Sequence, residues 1–449
     1  MSNPVPSAQR SGAPALGAPS HTRYFVVVFA VVLAVIQYID RVSISMVSGD
    51  IQRDLGLSQK DIGWAFGAFT LAYALFEIPT GYLGDRIGAR KVLIRVVLWW
   101  SFFTSATGAV WNFVSLVTVR FLFGVGEAGC FPNIARAFNR WLPPYERVRG
   151  QSILWMSARW GGAITPLLLV GVLKALNNWR LAFAFFGILG VAWCLAFYRW
   201  FRDNPADHPG VNAAELALLP QLKEGESDHP HVPWSVMFSR GSMILLFIQY
   251  FTLSYSWYFF ITWFPTYLKD ALHFELKTQG ALIAGTPLFL GGFGALVGGW
   301  ITPPVARMLG GNIARTRSLL GCVGQATAGA CLVAAAYFQT PAYAIGAIAL
   351  ASFFNDLTMP GAWTACMDIG GRFTGTVSGA MNMMGNLGGF VSPIVIGYIL
   401  DWTKDPVTLA ATSAGFNLTF YVTAALYMVG ATCWLFIDST TPLPQEEAH

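Results

Sequence analysis

Seven ionisable side chains stand in surroundings that are otherwise apolar: Asp40, Arg41, Glu77, Arg120, Glu127, Arg159 and Asp356. A charge in such a setting is costly, so it marks a functional role by default. Arginine stays charged, and its planar fork can hold a carboxylate through two parallel hydrogen bonds. A buried Asp or Glu can load and release a proton, because its charged form has lost its water. Arginines beside carboxylates therefore suit an anion whose passage is tied to protons. Arg120 and Glu127 are seven residues apart, on one helix face and two turns apart. Each is expected to reach other helices, with Asp40 among the partners, rather than to reach the other. A static charge network gluing helices is the alternative, but three arginines and four acids exceed what glue requires.

Enzymatic equipment is missing from the pattern. There is no HExxH, no Walker A loop and no GxSxG, and none of the six histidines lies deep in an apolar stretch. Gly124-Val-Gly126-Glu-Ala-Gly129 matches GxGxxG, but that fingerprint has meaning only between a strand and a helix. Here it falls in the middle of an apolar span, where small residues let helices approach. The six cysteines make neither a disulfide framework nor a metal-binding spacing. We therefore expect no enzyme activity, no metal and no cofactor.

The elements that carry these charges follow from composition. Hydrophobic residues make up 55% of the chain and charged residues 11%, against about 25% charged in a soluble domain. Such a chain cannot cover its own surface in water, so lipid must be part of its solvent. Apolar runs of membrane-spanning length fall near 24–47, 62–84, 92–112, 115–138, 150–174, 180–201, 241–270, 279–305, 317–338, 341–367, 373–400 and 412–437. The predicted fold is all-α and integral to the membrane, with twelve transmembrane helices. Pro79, Pro132, Pro166, Pro287, Pro360 and Pro393 lie within these runs, as bundled membrane helices tolerate.

Charge sets the orientation. With the N-terminus inside, eighteen Lys and Arg fall on the cytoplasmic side and seven on the other, with three inside helices. That bias predicts both termini in the cytoplasm, and it accounts for the net charge of +5 without a nucleic-acid partner. Residues 1–23 read as a disordered tail. The polar stretch 202–240, with Asp203, Asp207, Glu215, Glu224, Glu226 and Asp228, divides a six-helix bundle over 24–201 from a second over 241–438, and 439–449 forms a C-terminal tail. Six plus six around a polar link is the layout of transporters built from two pseudo-symmetric halves, with substrate held between them at the midplane.

Motifs narrow the reading. Gly81-Tyr-Leu-Gly-Asp85-Arg86-Ile-Gly88-Ala-Arg90-Lys91 closely resembles the helix 2–3 signature of the major facilitator superfamily. Its glycines permit a tight turn and close helix approach, and an acid among bases can pair across a closing interface. After the eighth span, Gly298-Gly-Trp-Ile-Thr-Pro-Pro-Val-Ala-Arg307 is a faint echo without the acid. Gln37-Tyr38-Ile-Asp40-Arg41 and Arg120-Phe-Leu-Phe-Gly-Val-Gly-Glu127-Ala-Gly-Cys-Phe-Pro132 resemble the anion:cation symporter family. Trp179-Arg-Leu-Ala-Phe183 and Tyr258-Phe-Phe-Ile-Thr-Trp-Phe-Pro265 do the same. That family includes bacterial galactonate, glucarate and hexuronate transporters and animal vesicular glutamate and sialic acid carriers.

The resemblance implies roles residue by residue. Arg41 grips a substrate carboxylate, Asp40 and Glu127 take protons, and Arg120 tunes Glu127. Tyr38 and Tyr73 line the cavity from the first half; Tyr258, Trp363 and Asn382 or Asn386 do so from the second. Sugar-acid members often carry Gln where this sequence has Arg159. That arginine either favours a dicarboxylate or bulkier anion, or pairs with an acid such as Glu77. The expectation is a monomeric proton symporter that takes up an organic anion, most simply an aldonate, aldarate or hexuronate, across a bacterial inner membrane. A proton-driven exporter, an organic-phosphate exchanger and a non-transporting sensor are the alternatives. Arg41 opposes cationic drugs, helix 7 lacks the arginine an exchanger would favour, and a sensor would be expected to carry an added signalling domain.

Overall fold

A computed structural model describes residues 17–57, 59–220, 234–274, 282–403 and 412–443. Most of the polar tail and the acidic part of the linker lie outside the described residues. Among those described, no strand occurs. The first six spans are α1 (Arg23–Met46), α2 (Gln59–Ile87), α3 (Ala89–Thr107), α4 (Phe113–Glu127, continuing as Cys130–Trp141), α5 (Pro144–Leu176) and α6 (Trp179–Trp200). The second six are α7 (Gly241–Thr262), α8 (Thr286–Met308), α9 (Ile313–Tyr337), α10 (Pro341–Leu357, continuing as Met359–Gly370), α11 (Thr374–Trp402) and α12 (Ser413–Phe436). Among the described residues, eight stretches are long and apolar enough by themselves to cross a membrane, one of them running through α10 into α11. α3 falls short because Arg90, Lys91 and Arg95 crowd its start.

Pairing within the halves repeats. α1 packs on α5, α2 on α4 and α3 on α6; correspondingly α7 packs on α11, α8 on α10 and α9 on α12. The halves meet where α2 lies on α11 and α5 on α8. Phe102, Leu167, Ile188 and Leu435 are exposed on the outside, an apolar surface that only lipid can cover.

Two spans are broken at corresponding places. α4 breaks at Ala128–Gly129, directly after Glu127 and just before Pro132. α10 breaks at Thr358, two residues after Asp356, with Pro360 in the new first turn. A proline in a first turn donates no hydrogen bond there and disfavours helix in the residue before it. Non-regular backbone at membrane depth is tolerated where it lies inside protein. Each break thus places an acid at the end of a half-helix, facing inward.

The halves are joined on the face that carries the described ends of the chain. Asp85 accepts from the backbone N–H of Gly375 at 2.9 Å and of Thr376 at 2.6 Å, at the start of α11. It also pairs with Arg136 at 2.6 Å. A carboxylate at a helix N-terminus meets free N–H groups and the favourable end of the helix dipole. Gly81 lets the backbones touch there: a Cβ on it would stand 2.2 Å from the Gly375 carbonyl oxygen. Arg147 reaches Asp368 across the same seam at 2.9 Å. Gly88 turns with φ +92°, and the next backbone N–H but one, that of Arg90, donates to Asp203 at 2.9 Å. Arg86, exposed in the last turn of α2, suits the negative end of its dipole.

Residues 17–22 lie along the first part of the linker. Ser20 Oγ donates to Glu215 at 2.5 Å, and Arg23 bridges Glu215 and Glu146 at 3.0 and 2.9 Å.

Candidate functional site

A cavity of about 40 Å³ lies between the halves, lined by Tyr38, Arg41, Tyr73, Arg159, Tyr258, Asn382 and Asn386 among others. Two arginines of the N-terminal half face it, and each is held by one of the acids at a helix break.

On α1, Arg41 donates to Glu127 Oε2 through Nη2 at 2.8 Å and Nε at 3.2 Å. Its guanidinium lies over the rings of Tyr73, Phe69 and Tyr38, 4.7 to 5.5 Å from their centroids. The side chain is 19% exposed against 1% for Glu127, so of this pair the arginine meets an incoming ligand first. Asp40, one residue earlier, turns 100° away into the N-terminal half. It is buried, its oxygens take no hydrogen bond of ordinary geometry, and Thr104 and Trp100 are its polar neighbours. Arg120 lies over the rings of Phe69 and Phe123 at 4.8 and 4.7 Å and makes no ion pair among the described residues. Asp40 therefore forms no ion pair with Arg120 and no hydrogen bond with Glu127; Glu127 does reach another helix, where its partner is Arg41.

On α5, Arg159 holds Asp356 of the other half with both edges of its fork. Nε donates to Oδ2 at 2.7 Å and Nη2 to Oδ1 at 3.0 Å. The third nitrogen donates to the Tyr38 hydroxyl at 3.0 Å, and the guanidinium lies 4.2 Å over Trp257. Asn355 supplies a further donor to Asp356 at 2.9 Å. Gly291 of α8 leaves room for that carboxylate, since a Cβ there would come within 2.5 Å of it. The acid that pairs with Arg159 is thus Asp356, not Glu77. Glu77, fully buried on α2, accepts from Asn382 and, at 3.3 Å, from Asn386. Tyr258 in turn donates to Asn386 at 3.4 Å.

Trp363 is displaced from its expected place. It does not line the cavity but stands behind Tyr250, donating to that hydroxyl at 3.0 Å and packing on Trp155. Residue reasoning missed Tyr250, Ser254 and Trp257, which line the cavity with Tyr258. Their spacing on α7, at i, i+4, i+7 and i+8, was a readable signal.

The fold and this cavity together define a class. The sequence profile described as Major Facilitator Superfamily matches residues 30–393, and the chain belongs to that superfamily. It is 34% identical to a probable sulfoacetate transporter of Cupriavidus necator over 95% of this chain and 97% of that one. It is 32% identical to the probable galactarate/D-glucarate transporter GudP of Escherichia coli, over 92% and 94% of the two chains. Among solved structures, the proton:xylose symporter XylE superposes with a TM-score of 0.73 at 13% identity, covering 94% and 97% of the chains. The chain is thus a multi-pass membrane transporter of organic anions and not an enzyme.

Proposed function

We propose that this transporter takes up an organic anion with two acidic ends, an aldarate or a shorter two-acid compound, together with protons. The observation that carries this is the pair of arginines on one cavity, each held by an internal carboxylate. An entering anion can replace Glu127 on Arg41 with one end and Asp356 on Arg159 with the other. The displaced acid is then left in a dry site without its ion pair, where taking a proton is the cheaper course. Binding of the anion and uptake of protons become one event, which is the requirement for symport. Asp40, buried without an ionic partner of its own, is a further proton site within the same half, and Arg120 sets the field around it and Glu127. Tyr38, Tyr73 and Tyr258 give hydroxyls to the substrate. Asn382 and Asn386 turn to it once Glu77 releases them.

Two of the relatives fit a two-acid substrate, while others are named for the one-acid hexuronate and galactonate. Of the two, one is named for sulfoacetate, which bears two acids on a short chain, and the other for galactarate and glucarate, which bear two on a longer one. The lysine and arginine bias supports a cytoplasmic location for both termini, and the bacterial relatives support the inner membrane. The junction at Asp85 then closes the cytoplasmic side, and the linker between the two bundles lies there too.

Counterflow in proteoliposomes tests the proposal. Galactarate, glucarate and sulfoacetate should exchange, and the one-acid galactonate should compete weakly. Preference for galactonate over every two-acid compound would sink the dianion reading. Accumulation that ignores an imposed pH gradient would sink proton symport.

A further inference from the structure

On the terminus-bearing face a second cavity, of about 400 Å³, opens beneath the seam between the halves. Arg136, Arg140 and Arg147 line it from the N-terminal half, and Asp368 and Arg372 from the C-terminal half. Asp368 is shared by Arg147 at 2.9 Å and Arg317 at 2.6 Å. Arg136 is engaged by Asp85. Leaving Arg140 aside, among the described residues four guanidiniums stand against two carboxylates. Arg372 is the clearest surplus: it makes no ion pair among the described residues, its Nε has no hydrogen-bond partner, and its guanidinium lies 5.3 Å over the Phe373 ring.

A concave site with surplus guanidiniums favours a compact oxyanion, because each planar fork matches two of its oxygens. The cavity is ten times the size of the one between the halves at mid-depth. Transported anions would meet it only on the far side of the closed junction, so its occupant need not be the substrate. We infer that this cavity binds a phosphate group presented from the cytoplasm, on inorganic phosphate, a phosphorylated metabolite or a lipid headgroup. Its walls come from both halves, so the site exists only while they meet there. A ligand that binds one state alone shifts the population towards it. Phosphate therefore holds the cytoplasmic side shut and slows uptake.

The cytoplasmic placement rests on the orientation read above, but binding can be measured without knowing the transported anion. Inorganic phosphate is titrated into the full-length protein in nanodiscs of neutral lipid, against chloride at equal ionic strength. Phosphate should bind, should still bind to Arg41→Ala, and should bind about ten-fold more weakly to Arg372→Gln, which loses one charged contact. Arg140→Gln gives a second reading if Arg372→Gln does not fold. Phosphate binding no tighter than chloride overturns the site. So does binding that Arg41→Ala abolishes and Arg372→Gln leaves alone, which would place the anion in the central cavity. In nanodiscs of anionic phospholipid, loss of added-phosphate binding assigns the site to headgroups, and retained binding assigns it to soluble phosphate. In vesicles, phosphate inside should slow uptake of the two-acid substrate, less so in Arg372→Gln. Equal slowing in the two proteins overturns the gating role. Absence of any uptake counts against the symport reading only, since the titration decides the site.

Discussion

The two arginine–carboxylate pairs of the cavity are alike in chemistry and opposite in placement. Arg41 and Glu127 belong to one half, and their contact survives any motion that moves the halves as rigid bodies. Arg159 and Asp356 belong to different halves, 197 residues apart, and must part if those halves separate there. Both acids sit at the break of corresponding helices, α4 and α10. A single device, an acid at a half-helix end, thus serves two purposes. Inside one half it makes an exchangeable counter-ion; between halves it also makes a fastening. In the proposed cycle an anion at Arg41 would change charge without changing shape, whereas one at Arg159 would change both.

The largest expected effect comes from removing the internal pair's cation. Arg41→Ala and Arg41→Lys should both nearly abolish anion binding, because lysine keeps the charge but not the fork. Calorimetry on the purified protein checks this, and binding by Arg41→Ala within a few-fold of wild type would move the clamp elsewhere.

Next is Glu127→Gln, which imitates the protonated acid at constant shape. The variant should still exchange labelled for unlabelled substrate and should fail to concentrate it under a pH gradient. Steep accumulation by this variant would show that protons are carried elsewhere. Asp40→Asn should behave alike, without the loss of binding that a contact with Arg41 would have caused.

The pair between halves should respond more mildly in substrate choice and more strongly in stability. Arg159→Ala leaves Asp356 buried without its cation, a loss of about 3–5 kcal/mol for a broken buried pair. Arg159→Gln combined with Asp356→Asn removes both charges and should recover most of that stability. The double variant should also shift preference from two-acid towards one-acid substrates by roughly ten-fold to a hundred-fold, from one lost charged hydrogen bond. Thermal unfolding and competition assays separate the two effects. An unchanged preference would make this pair a fastening only.

The smallest effect concerns a pair outside the membrane. Burial would push the Glu215 carboxyl up, but hydrogen bonds from Ser20, Arg23 and Thr22 outweigh it and hold the group below the ordinary carboxylate range. Its contribution is present above the ordinary value and is lost as pH falls through the depressed one. Hydrogen exchange at residues 17–22 should therefore quicken in acid, and Glu215→Gln should show the quick rate already at neutral pH. A tether this close to water should leave binding at Arg41 unaltered.

Residue types and periodicity carried the architecture a long way: the spans, the two halves and the charged residues within them were all legible in one chain. Partner choice was not. Asp40 and Arg41 are neighbours in sequence, but a helix turns 100° per residue, which sends one into the bundle and the other into the cavity. Asp356 stood out as an intramembrane acid, yet nothing in its local sequence points to a residue on α5. Trp363 illustrates a further limit. Its place on a cavity-facing helix was readable, whereas its position behind Tyr250 depends on how two aromatic side chains divide one space.

The glycines where α2 meets α11 set the working point of the whole machine. A methyl group on Gly375 would come within 2.5 Å of the Gly81 carbonyl oxygen and 2.9 Å of Asp85. Under the proposed transport cycle, that collision would vanish wherever the two halves part at this seam. Side-chain size at this position therefore acts as a steric dial on the resting equilibrium, far from any ligand. Because apparent affinity scales with the fraction of molecules in the competent state, Gly375→Ala should weaken substrate capture from outside and leave every cavity contact intact. Titration from each side of an oriented vesicle reads that dial directly, and equal affinities for Gly375→Ala and wild type from outside would show that the helices part without cost.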